Sequence, residues 1–290
     1  MRYTPTAQVA SVNDRLLLTD YGQTLFYASN PQVQDKDVFN QMCSSEERTA
    51  AILGCYSQRR IYLFDIQNKD LDGTLEVTAA HEMLHAAYER LNFIEKATVN
   101  NLIERAYETH RNDVGLQRIM QYYEEEEPGQ ELNELHSLLG TTVADLDPEL
   151  ERYYSRYFTD RGRVVELNAK YNQVFEQIST RADVLEQMID TEQPLLQQDF
   201  EEYEVDRLQL EQDIETFNER ASSGGFTSQW SFVVARNALI ARVDAMNTLR
   251  DQLNARVATY NEYINELNSL AIRVTELNKS MNGVTETIGL

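Results

Sequence analysis

The chain has 290 residues, of which 42% are hydrophobic and 26% charged. This is ordinary soluble composition, and length enough for one sizeable domain or two smaller ones. A formal net charge of −22 excludes nucleic acid as a partner class, because its phosphates would be repelled. It argues equally against an anionic lipid surface, and no apolar run is long enough to span a bilayer. Met1-Arg2-Tyr3 begins no basic-then-apolar leader. A natural start here, and an anchoring segment missing upstream of residue 1, both remain open.

Residues 7–19, AQVASVNDRLLLT, combine helix formers with apolar spacings of three and four, which predicts a helix. QTLFYASNP reads as extended and stops at Pro31. Asp35 to Cys43 reads as a short helix. AAILGCY and RRIYLFDI read as two strands joined by a turn at Ser57-Gln58. Cys43 and Cys55 are the only two cysteines. A disulfide between them would close a short loop and place the protein in an oxidising, extracytoplasmic setting. Two free thiols in a reducing cytoplasm are the alternative.

The next element is TAAHEMLHAAY, residues 78–88. The chain contains four histidines, and two fall in this one stretch. Ala79, Ala80, Met83, Leu84, Ala86 and Ala87 favour helix, and neither Gly nor Pro interrupts Thr74 to Leu91. Positions i and i+4 lie one turn apart on one face, so His81 and His85 can reach one ion. Val77, Leu84 and Tyr88 share that side, so the pair points inward or into a cleft. Glu82 lies about 100° around the helix, beside a metal without ligating it. That position suits a general base acting on water.

This stretch resembles the HExxH zinc metallopeptidases. The resemblance implies one zinc ion, with His81 and His85 as ligands and Glu82 as catalytic base and proton shuttle. A catalytic zinc takes a third protein ligand. No His-x-x-Gly-x-x-His continuation follows His85, so the metzincin branch is excluded. The gluzincin branch takes a Glu from a downstream helix. GQELNELHSLLGT, residues 129–141, offers one, running from a Pro128-Gly129 break to Gly140, which reads as a helix stop. Asn133-Glu134-Leu135-His136-Ser137 resembles the thermolysin-like Asn-Glu-x-x-Ser pattern, which makes Glu134 the third ligand. Glu131, His136 and His110 are the rivals. The departure is Leu138, where that pattern has an Asp supporting a ligand His. Asp113, Asp145 or Asp147 would have to supply that support.

In such peptidases a strand before the metal helix commonly forms the cleft edge, to which an extended peptide can pair. Residues 61–66, IYLFDI, are the candidate, with an ordinary core strand as the alternative. Residues 94–123 read as one helix with a break at Gly115, followed by the acidic loop EEEEPGQE. DPELERYYSRYFTDR, residues 147–161, opens a helix capped by Asp147 with Pro148 first. The resemblance implies a Tyr or His that holds the oxyanion, and Tyr157 or His110 stands in range. Aromatic packing beneath the site is the plainer role for each.

From about Arg163 the composition changes to Gln, Asn, Glu and Leu. Leu239, Val243, Met246, Leu253, Val257, Tyr260, Ile264, Leu267, Ala271, Val274 and Met281 recur at threes and fours, a sustained heptad seam. An earlier seam runs from Val164 to Phe217, and Pro194 should kink or break it. ASSGGFTSQW, residues 221–230, is the only plausible turn. Phe226 and Trp230 are expected to close the end of the hairpin core there.

The expected fold is α+β and mainly helical. A small zincin-like metallopeptidase domain over 1–162 is followed by a long antiparallel coiled-coil hairpin over 163–290, with its tip near 222–230. The expected function is zinc-dependent hydrolysis of a peptide or protein substrate. The coiled coil would position the enzyme, bind a protein partner or self-associate. One alternative is a coiled-coil scaffold carrying an inactive or structural zinc domain. Another is a zinc hydrolase acting on a non-peptide bond.

Overall fold

The computed structural model describes residues 3–43, 53–126 and 128–281. The described elements run α1 (Ala7–Leu16), α2 (Asp20–Ala28), β1 (Gln32–Gln34), α3 (Lys36–Met42), β2 (Gly54–Ser57), β3 (Arg60–Phe64), α4 (Thr74–Glu89) and α5 (Phe93–His110). They continue with α6 (Val114–Glu126), α7 (Glu131–Thr142), α8 (Pro148–Tyr154), α9 (Gly162–Ser222) and α10 (Gln229–Met281). The protein is mainly helical, with one three-stranded sheet and two long helices that pack together. It divides into two compact units, residues 1–176 with 274–290, and residues 177–273.

In the first unit the helices begin where side chains can satisfy free backbone N–H groups. Thr6, Thr19, Asp35 and Asp147 accept from the first turns of α1, α2, α3 and α8. Asn92 and Glu95 form a reciprocal capping box on α5. α1 stops at Leu16 because Leu17 takes a left-handed conformation, φ 51°.

The segment expected to be extended at QTLFYASNP is largely α2. Thr24, Phe26 and Tyr27 suggest a strand by type. Burial follows helical spacing instead, with Gly22, Leu25 and Phe26 inside, and packing overrides propensity. The break between α5 and α6 falls at residues 111–113, not at Gly115. Asp113 caps the new helix through the Leu116 N–H, and Gly115 lies inside α6.

The sheet order is β1-β3-β2, with β1 parallel and β2 antiparallel to β3. β3 is therefore the central strand, and the expected cleft edge at residues 61–66 is corrected. Ile61 and Leu63 are wholly buried. The hairpin turn sits at Gln58-Arg59, both with positive φ, one residue later than expected. The Cys43–Cys55 disulfide is present and links the end of α3 to β2. Closing a loop of this length contributes about 3 kcal/mol, and the bond points to an oxidising environment.

α4 is the centre of the unit. Ala79, Ala80, Met83, Leu84, Ala86 and Ala87 are buried, and α7, α1, α2, β2 and β3 pack around it. Buried Glu76 and Asp72 both pair with Arg15, fastening the start of α4 to α1. Gly140 was expected to stop α7, yet the helix runs on to Thr142. Its role is close approach: a Cβ there would lie 2.4 Å from Leu84 Cδ1 and 2.9 Å from Tyr154.

Residues 177–273 form an antiparallel helical hairpin. Ile178, Leu185, Leu196 and Leu210 of α9 and Leu253 of α10 are buried. Arg181 pairs bidentately with Glu266 at 2.7 Å, and Arg242 pairs with Asp213 at 2.5 Å. Arg256 bonds Glu192 at 2.8 Å and also Asp199. Such cross-helix pairs fix register. α9 continues through Pro194, so the expected break is absent. At the tip Phe217, Phe226 and Phe232 cluster with ring centres 5.3 Å apart. Phe226 closes the core as expected, but Trp230 is 74% exposed. No helix among the described residues is long and apolar enough to cross a membrane.

Arg161 holds the end of α7 in place. It is buried, donates to the carbonyls of Leu139, Val143 and Ala144, and pairs with Glu151. Arg161→Leu strands these acceptors. Its unfolding free energy should fall by about 3 kcal/mol, read as an earlier midpoint in urea denaturation with an unchanged slope.

Candidate metal centre

α4 presents His81 and His85 one turn apart, with ring centres 4.6 Å apart. α7 lies alongside and presents Glu134, which is 5% exposed. His81 Nε2 lies 2.9 Å from His85 Nε2 and 3.4 Å from Glu134 Oε1. His85 Nε2 lies 3.3 Å from Glu134 Oε2. Tetrahedral donors at about 2.0 Å from a zinc ion stand roughly 3.3 Å from one another, so these separations suit one metal ion. Among the described residues these three form the group able to hold one.

The second nitrogen of His85 is also engaged. Asn133 Oδ1 lies 3.1 Å from His85 Nδ1. An amide oxygen only accepts, so Nδ1 carries the proton. Nε2 of the neutral ring is then free to ligate, the usual arrangement for a metal-binding imidazole. Asn133 supplies the support expected from an Asp. Asp113 and Asp147 instead cap α6 and α8, and Asp145 offers its carbonyl to His110.

The electrostatics favour positive charge here. Burial would raise the Glu134 pKa, but the charges and hydrogen bonds of His81 and His85 outweigh it and hold the carboxyl well below its usual range. Burial would lower His85, yet its hydrogen bond to Glu134 and that carboxylate's charge push it up. A buried carboxylate between two imidazoles stabilises a cation, whether proton or metal.

Glu82 stands beside the triad and is 6% exposed. Burial raises its pKa against the opposing pull of His85 and His81. The backbone of Tyr56 on β2 also acts to lower it. β2 comes this close because Gly54 faces α4: a Cβ there would stand 2.5 Å from Thr78 Cγ2 and 2.9 Å from Glu82 Cγ.

The other candidates lie elsewhere. Glu131 binds the Gly129 N–H at the start of α7. His110 ends α5 with Nε2 on the Asp145 carbonyl. His136 is wholly buried, with Nε2 2.8 Å from the Tyr153 hydroxyl and Nδ1 unpartnered. Burial, then the charges of His85 and His81, push it down to about 3. Tyr157 is buried too, its hydroxyl 3.3 Å from that of Tyr153. Tyr153 and Tyr157 thus belong to a packed polar core under α7.

Three functional contributors were missed in the sequence. Asn133 stood inside the motif containing Glu134, and its spacing already placed it one residue from a ligand. Gly54, a glycine within a strand, is the ordinary sign of close backbone approach. Tyr56 acts through its backbone, which side-chain type does not reveal.

Comparison with family models, curated proteins and solved structures finds no match to this chain.

Asn133→Ala should weaken zinc binding by roughly ten- to a hundredfold while leaving the fold intact. Chelator competition with a zinc indicator checks the first expectation, and circular dichroism the second.

Proposed function

We propose that the chain is a zinc-dependent metallopeptidase of the gluzincin type, with His81, His85 and Glu134 holding the ion and Glu82 as general base. The convergence of the three donors beside a second buried carboxylate, Glu82, carries this proposal. A zinc ion held there supplies Lewis acidity. Structural zinc sites are closed by four protein ligands, whereas catalytic sites use three. Three such donors converge among the described residues, which favours a catalyst over a structural zinc domain in a coiled-coil scaffold.

The remaining chemistry belongs to the chain. Burial keeps the proton affinity of Glu82 high, as a base working near neutral pH requires. Its carboxylate takes a proton from the attacking water as the water oxygen bonds the scissile carbonyl carbon. As the C–N bond breaks, Glu82 delivers that proton to the leaving nitrogen. Tyr157 and His110 are not assigned the oxyanion, since their hydrogen bonds go to Tyr153 and Asp145.

A peptide substrate would lie along β2. The Leu53 carbonyl accepts from Phe64 of β3. Antiparallel alternation then turns the backbone groups of Gly54 and Tyr56 to the other edge, which is the Glu82 side. The disulfide favours work outside the cytoplasm, at a cell surface or in the secreted state. The hairpin of residues 177–273 would serve positioning, partner binding or self-association.

The test is zinc content and peptide hydrolysis on the same preparations. Wild type should carry one zinc per chain and cleave an unstructured protein such as casein. Glu134→Ala should lose most of the metal. Glu82→Gln should keep the metal and lose hydrolysis by roughly 10²–10⁴-fold. Full hydrolysis by Glu82→Gln, or a wild type that takes up no zinc when metal is supplied, overturns the proposal.

A further inference from the structure

A cavity of about 560 Å³ adjoins the metal centre, walled by Tyr56, Gln58, Arg59, His85, Glu89 and Asn133. Two of those walls, His85 and Asn133, belong to the centre itself. A group held at the triad therefore has this cavity on its flank.

The polar groups of the cavity differ in how far they are committed. Glu89 is held on both oxygens: Oε2 accepts from the Tyr56 hydroxyl at 2.5 Å, and Oε1 faces Arg59 Nε at 3.5 Å. The Tyr56 bond, then the nearby Arg59 and Arg90 charges, keep Glu89 ionised. Arg90 is committed too, donating to the Tyr56 hydroxyl at 3.1 Å and to the Ala86 carbonyl at 2.7 Å. Asn133 Oδ1 is taken by His85.

Arg59 is different. Its one ion pair is long and exposed, with 78% of the side chain open to solvent. Pairs of that kind hold weakly. Its two terminal nitrogens have no partner among the described residues. The Gln58-Arg59 turn carries it at the mouth of the cavity, both residues having positive φ. A guanidinium with two free donors in one plane matches a carboxylate. Elsewhere the chain's charge of −22 repels anions, whereas Arg59 is the one Lys or Arg among the described residues that line this cavity.

We propose that this cavity is a substrate subsite in which Arg59 binds a carboxylate of the peptide, either an acidic side chain or the free C-terminus. The proposal rests on the peptidase function above and names the substrate chemistry of the same cleft. Arg59 is a specificity residue and takes no part in the bond-breaking step. Arg59 and His85 line the same cavity, so the recognised carboxylate belongs to a residue close to the scissile bond.

Matched fluorescent peptides test it, with binding read by anisotropy on the full chain and cleavage read by mass spectrometry after zinc is added. One pair carries a free or an amidated C-terminus, and a second carries an internal Asp or Asn. Wild type should favour the carboxylate member of one pair by roughly tenfold, as one charge-assisted fork supplies, and the pair showing the preference identifies the source. Arg59→Gln should erase that preference and keep wild-type zinc content. Arg59→Glu should turn it against the carboxylate. Cleavage without carboxylate preference, or a preference unchanged in Arg59→Gln, overturns the subsite and leaves the peptidase function standing. A zinc-loaded wild type that neither binds nor cleaves any of the peptides overturns both.

Discussion

The structure of the first unit depends on how closely α7 can approach α4. His81 and His85 stand on one helix and Glu134 on the other, so the triad exists only at one interhelical spacing. Gly140 sets it, because any side chain there would strike Leu84 and Tyr154. The alanines of α4 keep its packed faces low, so several elements can surround it at once. Dense interiors do not adjust by small amounts, and a displacement of one helix would separate donor atoms that now lie 2.9–3.4 Å apart. Arg161 works toward the same end by tying down the carbonyls that follow α7.

Held at that spacing, the site concentrates two buried carboxylates, Glu82 and Glu134, around two imidazoles. Their environments drive them apart. Glu134 faces both histidines and stays ionised, whereas burial raises Glu82. One is thereby suited to ligate a cation and the other to accept and release a proton. Such division between neighbouring carboxyls is a recurrent basis of acid–base chemistry. His136, two residues past Glu134, is withdrawn from it by its bond to Tyr153 and by full burial. Its ligand type suits a metal, but α7 turns it toward the core.

Much of this was legible in residue spacing. The i, i+4 histidines, the downstream Glu134, the two cysteines and the heptad seams are local patterns, and local patterns survive folding. What was illegible depended on neighbours distant in the chain. Gly140 resembled a helix stop because its partner Leu84 lies on another helix. Residues 61–66 were open between cleft edge, by the peptidase resemblance, and core strand, and β1, only three residues long, left no pattern to decide it. α2 was misread because β-branched and aromatic types outweighed a short apolar period. Pro194 was expected to kink or break a helix; the helix is not broken there, and the packed seam on both sides, Leu185 before and Leu196 after, carries α9 through. Asn133 is intermediate: it lies beside Glu134 in the sequence, but its bond to His85 depends on α7 packing against α4.

The β2–β3 hairpin joins these separate features into one device. β2 is four residues long, and each residue that meets the site does so for a different reason. Gly54 lets the strand lie on α4. Cys55 fastens it to α3 through the disulfide. Tyr56 brings its backbone near Glu82 and gives its hydroxyl to Glu89. The turn beyond then carries Arg59 to the mouth of the adjoining cavity. An isolated two-stranded hairpin is marginal in water. Here β1 pairing on the far side of β3 and the covalent bond at Cys55 hold the strand. The backbone beside Glu82, the outer edge of β2 and the Arg59 guanidinium are thus positioned by a single short segment, so their relative placement is set once, by the seating of β2 on α4.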